Sequence, residues 1–138
     1  MNISASIPKV LYVDDDSDDC MMLGESFAAT ASSAHLVFAS GGEEAIRYLH
    51  SMEENSLPTL IILDLNMPRW DGRQTLNYIK SDPQLAGIPV IILSTSGNKM
   101  DVEVCKKLGA ASYLQKPVHY KGYHDIVRSI MPLLTPVA

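Results

Sequence analysis

The chain has 138 residues, 46% of them hydrophobic, and a formal net charge of −5 at pH 7. This length fits one domain, 1–138, and the apolar fraction is too high for a disordered chain. The acidic balance disfavours broad nucleic-acid binding, which needs a basic face. The apolar runs Leu60–Leu63 and Val90–Leu93 are too short to span a membrane, and the start MNISASIPK lacks the basic end and long apolar stretch of a secretory leader. A cytoplasmic protein is expected. Cys20 and Cys105 lie far apart in helical segments, which suits two buried or half-buried thiols rather than a disulfide or a zinc site.

Lys9–Val13 (KVLYV) reads as a first strand and runs into Asp14, Asp15 and Asp16. Ser17 is the expected cap of a helix whose first turn holds Asp18 and Asp19, acids that suit the positive end of the helix dipole. Met22, Leu23 and Phe27 have core-facing spacing along it. His35–Ala39 (HLVFA) reads as a second strand, and Gly42–Glu54 as an amphipathic helix with Ala45, Ile46, Leu49 and Met52 on its apolar side. The loop from there to Pro58 has no assigned role. Leu60–Leu63 (LIIL) is a wholly apolar third strand, and Gly72–Lys80 a helix stopped by Asp82-Pro83. Val90–Leu93 (VIIL) is the fourth strand. Asp101–Leu108 is helical, with Gly109 as its terminator. Tyr113–Leu114 anchors a short fifth strand, and Tyr123, Ile126, Val127, Ile130 and Leu134 form the stripe of a last helix.

Strands alternating with helices predict a parallel sheet, and runs such as LIIL and VIIL suit a sheet covered on both faces. The chain is too short for a closed barrel of eight such units, which takes about 250 residues. A doubly wound open α/β sheet is therefore expected, with its ligand crevice beyond the carboxyl ends of the strands. The residues following the strands are Asp14–Asp16, Asp64, Ser94 and Thr95, and Lys116 and Pro117. Crowded carboxylates repel one another unless a cation lies among them, and oxygen ligands suit a hard ion such as Mg²⁺ or Mn²⁺. A carboxylate, a hard cation, a lysine and a hydroxyl around one point make a phosphoryl-transfer site.

Four segments carry a family resemblance: Val10–Asp15 (VLYVDD), Leu60–Gly72 (LIILDLNMPRWDG), Val90–Thr95 (VIILST) and Gly109–Pro117 (GAASYLQKP). In this order, with 30 residues from Asp64 to Ser94 and 52 from Asp64 to Lys116, the chain resembles response-regulator receiver domains from Lys9 to Leu134. The resemblance implies a flavodoxin-like sheet of strand order 2-1-3-4-5 with five helices. It implies a stand-alone signalling switch of a two-component system or phosphorelay, which catalyses its own phosphorylation and dephosphorylation and is not a turnover enzyme. Asp64 would be the phosphoacceptor, served by a sensor histidine kinase or a histidine phosphotransfer protein. Asp15 and Asp64 would ligate Mg²⁺ (or Mn²⁺) with the backbone carbonyl of Asn66, and Asp14 would act through a water. Lys116 would pair with a phosphoryl oxygen, Ser94 would move to bond it, and Tyr113 would turn inward in response. The Lys116–Pro117 peptide would be cis, which an X–Pro bond allows. Output would pass to a downstream protein target through the fourth helix, fifth strand and fifth helix. The stretch from Met67 to Ser96 is similar to single-domain regulators that serve histidine kinases, bacteriophytochrome kinases among them.

Other residues carry plainer readings. Asp16 is expected in solvent beside the helix start, and Asp71 as turn chemistry or a helix cap. Trp70 suits either a partner contact or packing over its loop. Asn66 and Ser96 occupy positions that tune dephosphorylation in the family. His35, His50, His119 and His124 lack metal-ligand spacing. Tyr120, Tyr123 and Met131 are candidates for a homodimer face, with core packing an equal account of Tyr123. Three rival functions fit these residues less well. A flavodoxin-type carrier needs a phosphate loop where this chain has three carboxylates; a haloacid-dehalogenase-type phosphatase needs a different context around Asp14–Asp16 and a cap; an unphosphorylated pseudo-receiver does not need so complete a site.

Overall fold

The computed structural model describes residues 7–30 and 33–134. Residues 1–6, which bear on the reading of a leader and on the bounds of a 1–138 domain, lie outside the described residues, as do 135–138. Five strands, β1 (Lys9–Val13), β2 (His35–Ala39), β3 (Leu60–Leu63), β4 (Val90–Ser94) and β5 (Ser112–Gln115), alternate with five helices. These are α1 (Ser17–Thr30), α2 (Gly42–Ser51), α3 (Gly72–Ser81), α4 (Lys99–Lys107) and α5 (Gly122–Leu134), and a short 3₁₀ turn at Glu54–Ser56 precedes β3. The strands pair in the order β2-β1-β3-β4-β5, every pair parallel, as the resemblance implies.

Side chains alternate across a strand, so β1, β3 and β4 each feed two cores. Leu11, Val13, Ile61, Leu63, Val90 and Ile92 pack with Ala45, Leu49, Leu76, Ile79 and Cys105 from α2, α3 and α4. Val10, Tyr12, Leu60, Ile62, Ile91 and Leu93 pack with Leu23, Phe27, Tyr123, Val127 and Ile130 from α1 and α5. Burial on both faces is why these strands show no polar alternation.

Several boundaries differ from expectation. The cap of α1 is Asp16, not Ser17: the Asp16 carboxylate accepts from the Asp18 and Asp19 N–H groups at 2.9 and 3.2 Å. A charged oxygen one residue earlier reaches the orphan donors of the first turn and leaves Ser17 inside the helix. Helix α2 stops at Ser51 rather than Glu54, because Met52 is extended (φ −91°, ψ 145°). The Lys9 ammonium ties down the following turn, donating to the Ser56 carbonyl at 2.8 Å. Helix α4 begins at Lys99, capped by the Asn98 side chain, which accepts from the Met100 N–H at 2.7 Å. Gly109 ends it with φ 106°, a conformation open to glycine. Asp71 caps α3 in a reciprocal capping box with Gln74, as expected.

No peptide bond among the described residues is cis, so the Lys116–Pro117 bond is trans, against the expectation above. The trans form is the lower one for X–Pro by about 0.5–1 kcal/mol. With that bond trans, the Lys116 N–H still donates to the Ser94 carbonyl at 2.7 Å and its ammonium still enters the strand-end cluster.

Candidate phosphoryl-transfer site

The hydrogen-bond ladder of the sheet runs one residue past the strands. The Asp14 N–H donates to the Ala39 carbonyl at 3.0 Å, the Asp64 N–H to Val13 at 2.9 Å and the Lys116 N–H to Ser94 at 2.7 Å. Three charged residues are thereby fixed at the carboxyl edge, Asp14 and Asp64 at the ends of the paired strands β1 and β3 and Lys116 at the end of β5, one strand beyond β4. Strand alternation decides where they point. Asp14 shares parity with Val10 and Tyr12, Asp64 with Leu60 and Ile62, and Lys116 with Leu114, all on the side covered by α1 and α5. Ser94 shares parity with Val90 and Ile92 and faces the side of α4, where Tyr113 also packs.

Asp14 and Asp64 are buried, 2% and 4% exposed, while Asp15 is exposed. Oxygens of Asp14, Asp15 and Asp64 lie within 4.8 Å of one another. The Lys116 ammonium lies 2.9 Å from Asp14 and 3.5 Å from Asp64. It is closest to Asp19, at 2.6 Å. Burial first, and the Asp14 charge second, push the Asp64 carboxyl up to about 7, against the opposing pull of Lys116 and of the Asn66 N–H at 3.4 Å. Burial works against the charge on Lys116, but its hydrogen bonds to Asp14 and Asp19 outweigh that and hold the ammonium above its ordinary range. With one cation shared among so many acids, the three-carboxylate group fits a hard divalent ion, which would offset the repulsion that raises Asp64.

Two tyrosines complete the buried side. Tyr12 donates to the Asp14 carboxylate. Tyr123, 1% exposed, donates to the other oxygen of Asp19 at 3.0 Å. Burial, followed by these acidic partners, raises both phenols.

On the α4 side, Ser94 is fully buried and its hydroxyl oxygen accepts from the Ser96 N–H at 3.2 Å. Tyr113 is half-buried and donates to the Ser96 carbonyl at 2.8 Å. Ser96 also donates to Asp101 at 2.7 Å, and Asp101 pairs with Arg73 of α3. The loop after Ser94 is thus held from three directions.

Of the residues proposed from sequence, Asp14, Asp15, Asp64 and Lys116 come together, and Ser94 and Tyr113 sit one layer across the sheet edge. Asp19 and Tyr12 were not anticipated as members. Trp70 packs on the α2–α3 core, its ring 5.7 Å from Tyr78, which favours packing over its loop. Tyr123 belongs to the core, not to an outer face. Tyr120 is exposed and donates to Glu25 at 2.7 Å.

A family model for the response regulator receiver domain matches residues 10–128. This chain belongs to the response-regulator receiver domains. Response regulator Rcp1 of Synechocystis sp. is 34% identical to it over 134 residues, spanning 94% of this chain and 91% of its own. Among solved structures, this receiver is similar to the phosphorylated cyanobacterial phytochrome response regulator RcpA, with a TM-score of 0.85 at 36% identity over 94% of each chain. It is also similar to the Mn²⁺-bound form of Rcp1, with a TM-score of 0.83 at 34% identity over 95% of this chain and 97% of that one. A receiver domain is a phosphorylation-dependent switch, not a turnover enzyme, and protein partners supply and read its phosphoryl group. No helix among the described residues is long and apolar enough to cross a membrane.

Proposed function

We propose that Asp64 is the phosphoacceptor of this receiver. The observation that carries the reading is the meeting of Asp14 and Asp64, at the ends of the paired strands β1 and β3, with the Lys116 ammonium reaching in from the end of β5. An Asp64 carboxylate oxygen forms a bond to phosphorus as the bond from phosphorus to the donor nitrogen breaks, and the imidazole of the donor leaves with that electron pair. Asp15 and Asp64, with the Asn66 carbonyl, would hold Mg²⁺ (or Mn²⁺), and Asp14 would act through a water. The ion, when bound, screens the carboxylates from the incoming phosphoryl charge. The chain's own groups do the rest. Lys116 meets a phosphoryl oxygen, and the Ser94 hydroxyl turns from the Ser96 N–H to donate to another. Tyr113 then follows inward, and the face formed by α4, β5 and α5 changes for a downstream protein. Phosphorylation adds nearly two charges and three acceptor oxygens at one strand end, which is the differential contact a population shift needs.

A histidine kinase of the phytochrome class, directly or through a histidine phosphotransfer protein, is the proposed donor, on the likeness to RcpA and Rcp1. Phosphotransfer profiling against the kinases of the host tests this; transfer from an unrelated kinase alone would replace it. For the acceptor, Asp64→Asn should abolish labelling by acetyl phosphate with Mg²⁺, read by mass shift of the intact protein. Labelling of that variant at the wild-type level would move the acceptor elsewhere.

A further inference from the structure

The Lys116 ammonium is not centred on the acceptor. Its shortest contact, 2.6 Å, is to Asp19 in the first turn of α1; Asp14 follows at 2.9 Å, and the acceptor carboxylate of Asp64 lies at 3.5 Å, beyond a good charge-assisted hydrogen bond. The group is largely enclosed, with the Lys116 side chain 7% and the Asp19 side chain 17% exposed, so water screens the pair weakly. Asp19 is itself oriented. Its N–H is capped by Asp16 at 3.2 Å, and its second oxygen accepts from Tyr123 of α5 at 3.0 Å. The carboxylate therefore cannot turn away from Lys116 without giving up the buried phenol.

We infer that Asp19 is a positioning residue that holds the Lys116 ammonium off Asp64 in the resting receiver and yields it when a phosphoryl group arrives. This rests on the reading of Asp64 as acceptor. For Lys116 to meet a phosphoryl oxygen at about 2.8 Å, it must travel toward Asp64, and its bond to Asp19 lengthens. Asp19 is then left with Tyr123 as its buried partner, so the handover changes what α5 feels at its first turn. A competing carboxylate sets a threshold: the phosphoryl group must draw the ammonium more strongly than Asp19 does.

The test is a mutant cycle in the full chain with saturating Mg²⁺, reading the initial rate of labelling by acetyl phosphate. Asp19→Asn keeps an acceptor for Tyr123 but removes the charge, and it should label about three- to tenfold faster, the scale of one partly screened ion pair. In a Lys116→Ala background the same change should have no effect, because its influence runs through the ammonium. A second readout needs neither metal nor phosphodonor. The Lys116 side-chain ammonium signal in ¹⁵N-edited NMR, sheltered by Asp19 in the parent protein, should broaden into solvent exchange in Asp19→Asn. Thermal melts monitor folding, and Asp19→Ser serves in its place if the Asn variant does not fold. Unchanged or slower labelling, or an equal gain with and without Lys116, would overturn the role of Asp19 alone. If the parent protein itself takes no label, it is the acceptor reading that fails.

Discussion

Ser26 lies on the buried side of α1, and its hydroxyl has no hydrogen-bond partner among the described residues. A buried unmade hydrogen bond of this kind costs free energy, and alanine also favours helix over serine. Ser26→Ala should therefore stabilise the protein by about 1 kcal/mol, read from the urea midpoint. A loss of stability would mean that the hydroxyl is satisfied in solution. Lys116→Ala should fold and still accept label from acetyl phosphate, but more slowly. Failure to fold would make Lys116 structural, since the three acids around it would then be repelling one another in the core. At this scale the sequence was informative about strand ends and silent about pairings across the fold. Asp14 and Asp64 were legible because each follows an apolar strand, and Lys116 because it follows the short strand anchored by Tyr113 and Leu114. Asp19 was not, because 97 residues separate it from Lys116 and its place in a first helical turn already had a sufficient local reason. Tyr12 is readable from strand alternation, for it stands two residues before Asp14 and must share its face of the sheet.

At the scale of elements, the turn from β3 into α3 is tight enough to fix a residue type. A Cβ on Gly72 would lie 2.3 Å from the Asp64 carbonyl oxygen and 2.6 Å from the Leu65 Cα, both backbone atoms with little room to give. Gly72→Ala should destabilise the fold by about 2–3 kcal/mol. It should also slow labelling, because the displaced backbone is that of the acceptor itself. Wild-type melting and labelling in that variant would show that the turn relaxes freely. Helix existence and order were readable from periodicity, whereas helix starts were decided by side chains competing for the same N–H groups. Asp71 followed the local rule. Asp16 took the cap from Ser17, and Asn98 moved the start of α4 ahead of Asp101, because a carboxylate or amide oxygen within reach of the first turn outweighs the first apolar residue as a boundary.

For the whole molecule, the crowded edge makes stability depend on pH and on metal. The Asp64 carboxyl is raised from an ordinary 3.8 to about 7. The unfolded chain therefore releases this proton first, and the metal-free fold loses stability as pH rises from about 4 to about 7, then levels off. Urea midpoints in a chelating buffer should fall between pH 5 and pH 7.5 in the parent protein and fall less in Asp64→Asn. Saturating Mg²⁺ should recover stability at pH 7.5, by about 2.7 kcal/mol at a hundredfold excess over its dissociation constant. Equal pH slopes for the two proteins would remove Asp64 as the cause. The doubly wound architecture itself was legible in the sequence, because apolar runs such as LIIL and VIIL are affordable only where helices cover both faces. The state of the Lys116–Pro117 bond was not, since either isomer leaves the chain pattern unchanged.

The chain contains a single tryptophan, and it stands in the loop that leaves Asp64, its ring tilted against Tyr78 above the α2–α3 core. That placement makes Trp70 a native optical probe: emission excited at the indole alone reports this loop, with no background from elsewhere in the molecule. If ion binding or phosphoryl uptake shifts this loop, Trp70 emission should change on titration with Mg²⁺ or acetyl phosphate in the unlabelled protein, and a constant signal would mean that the loop stays in place.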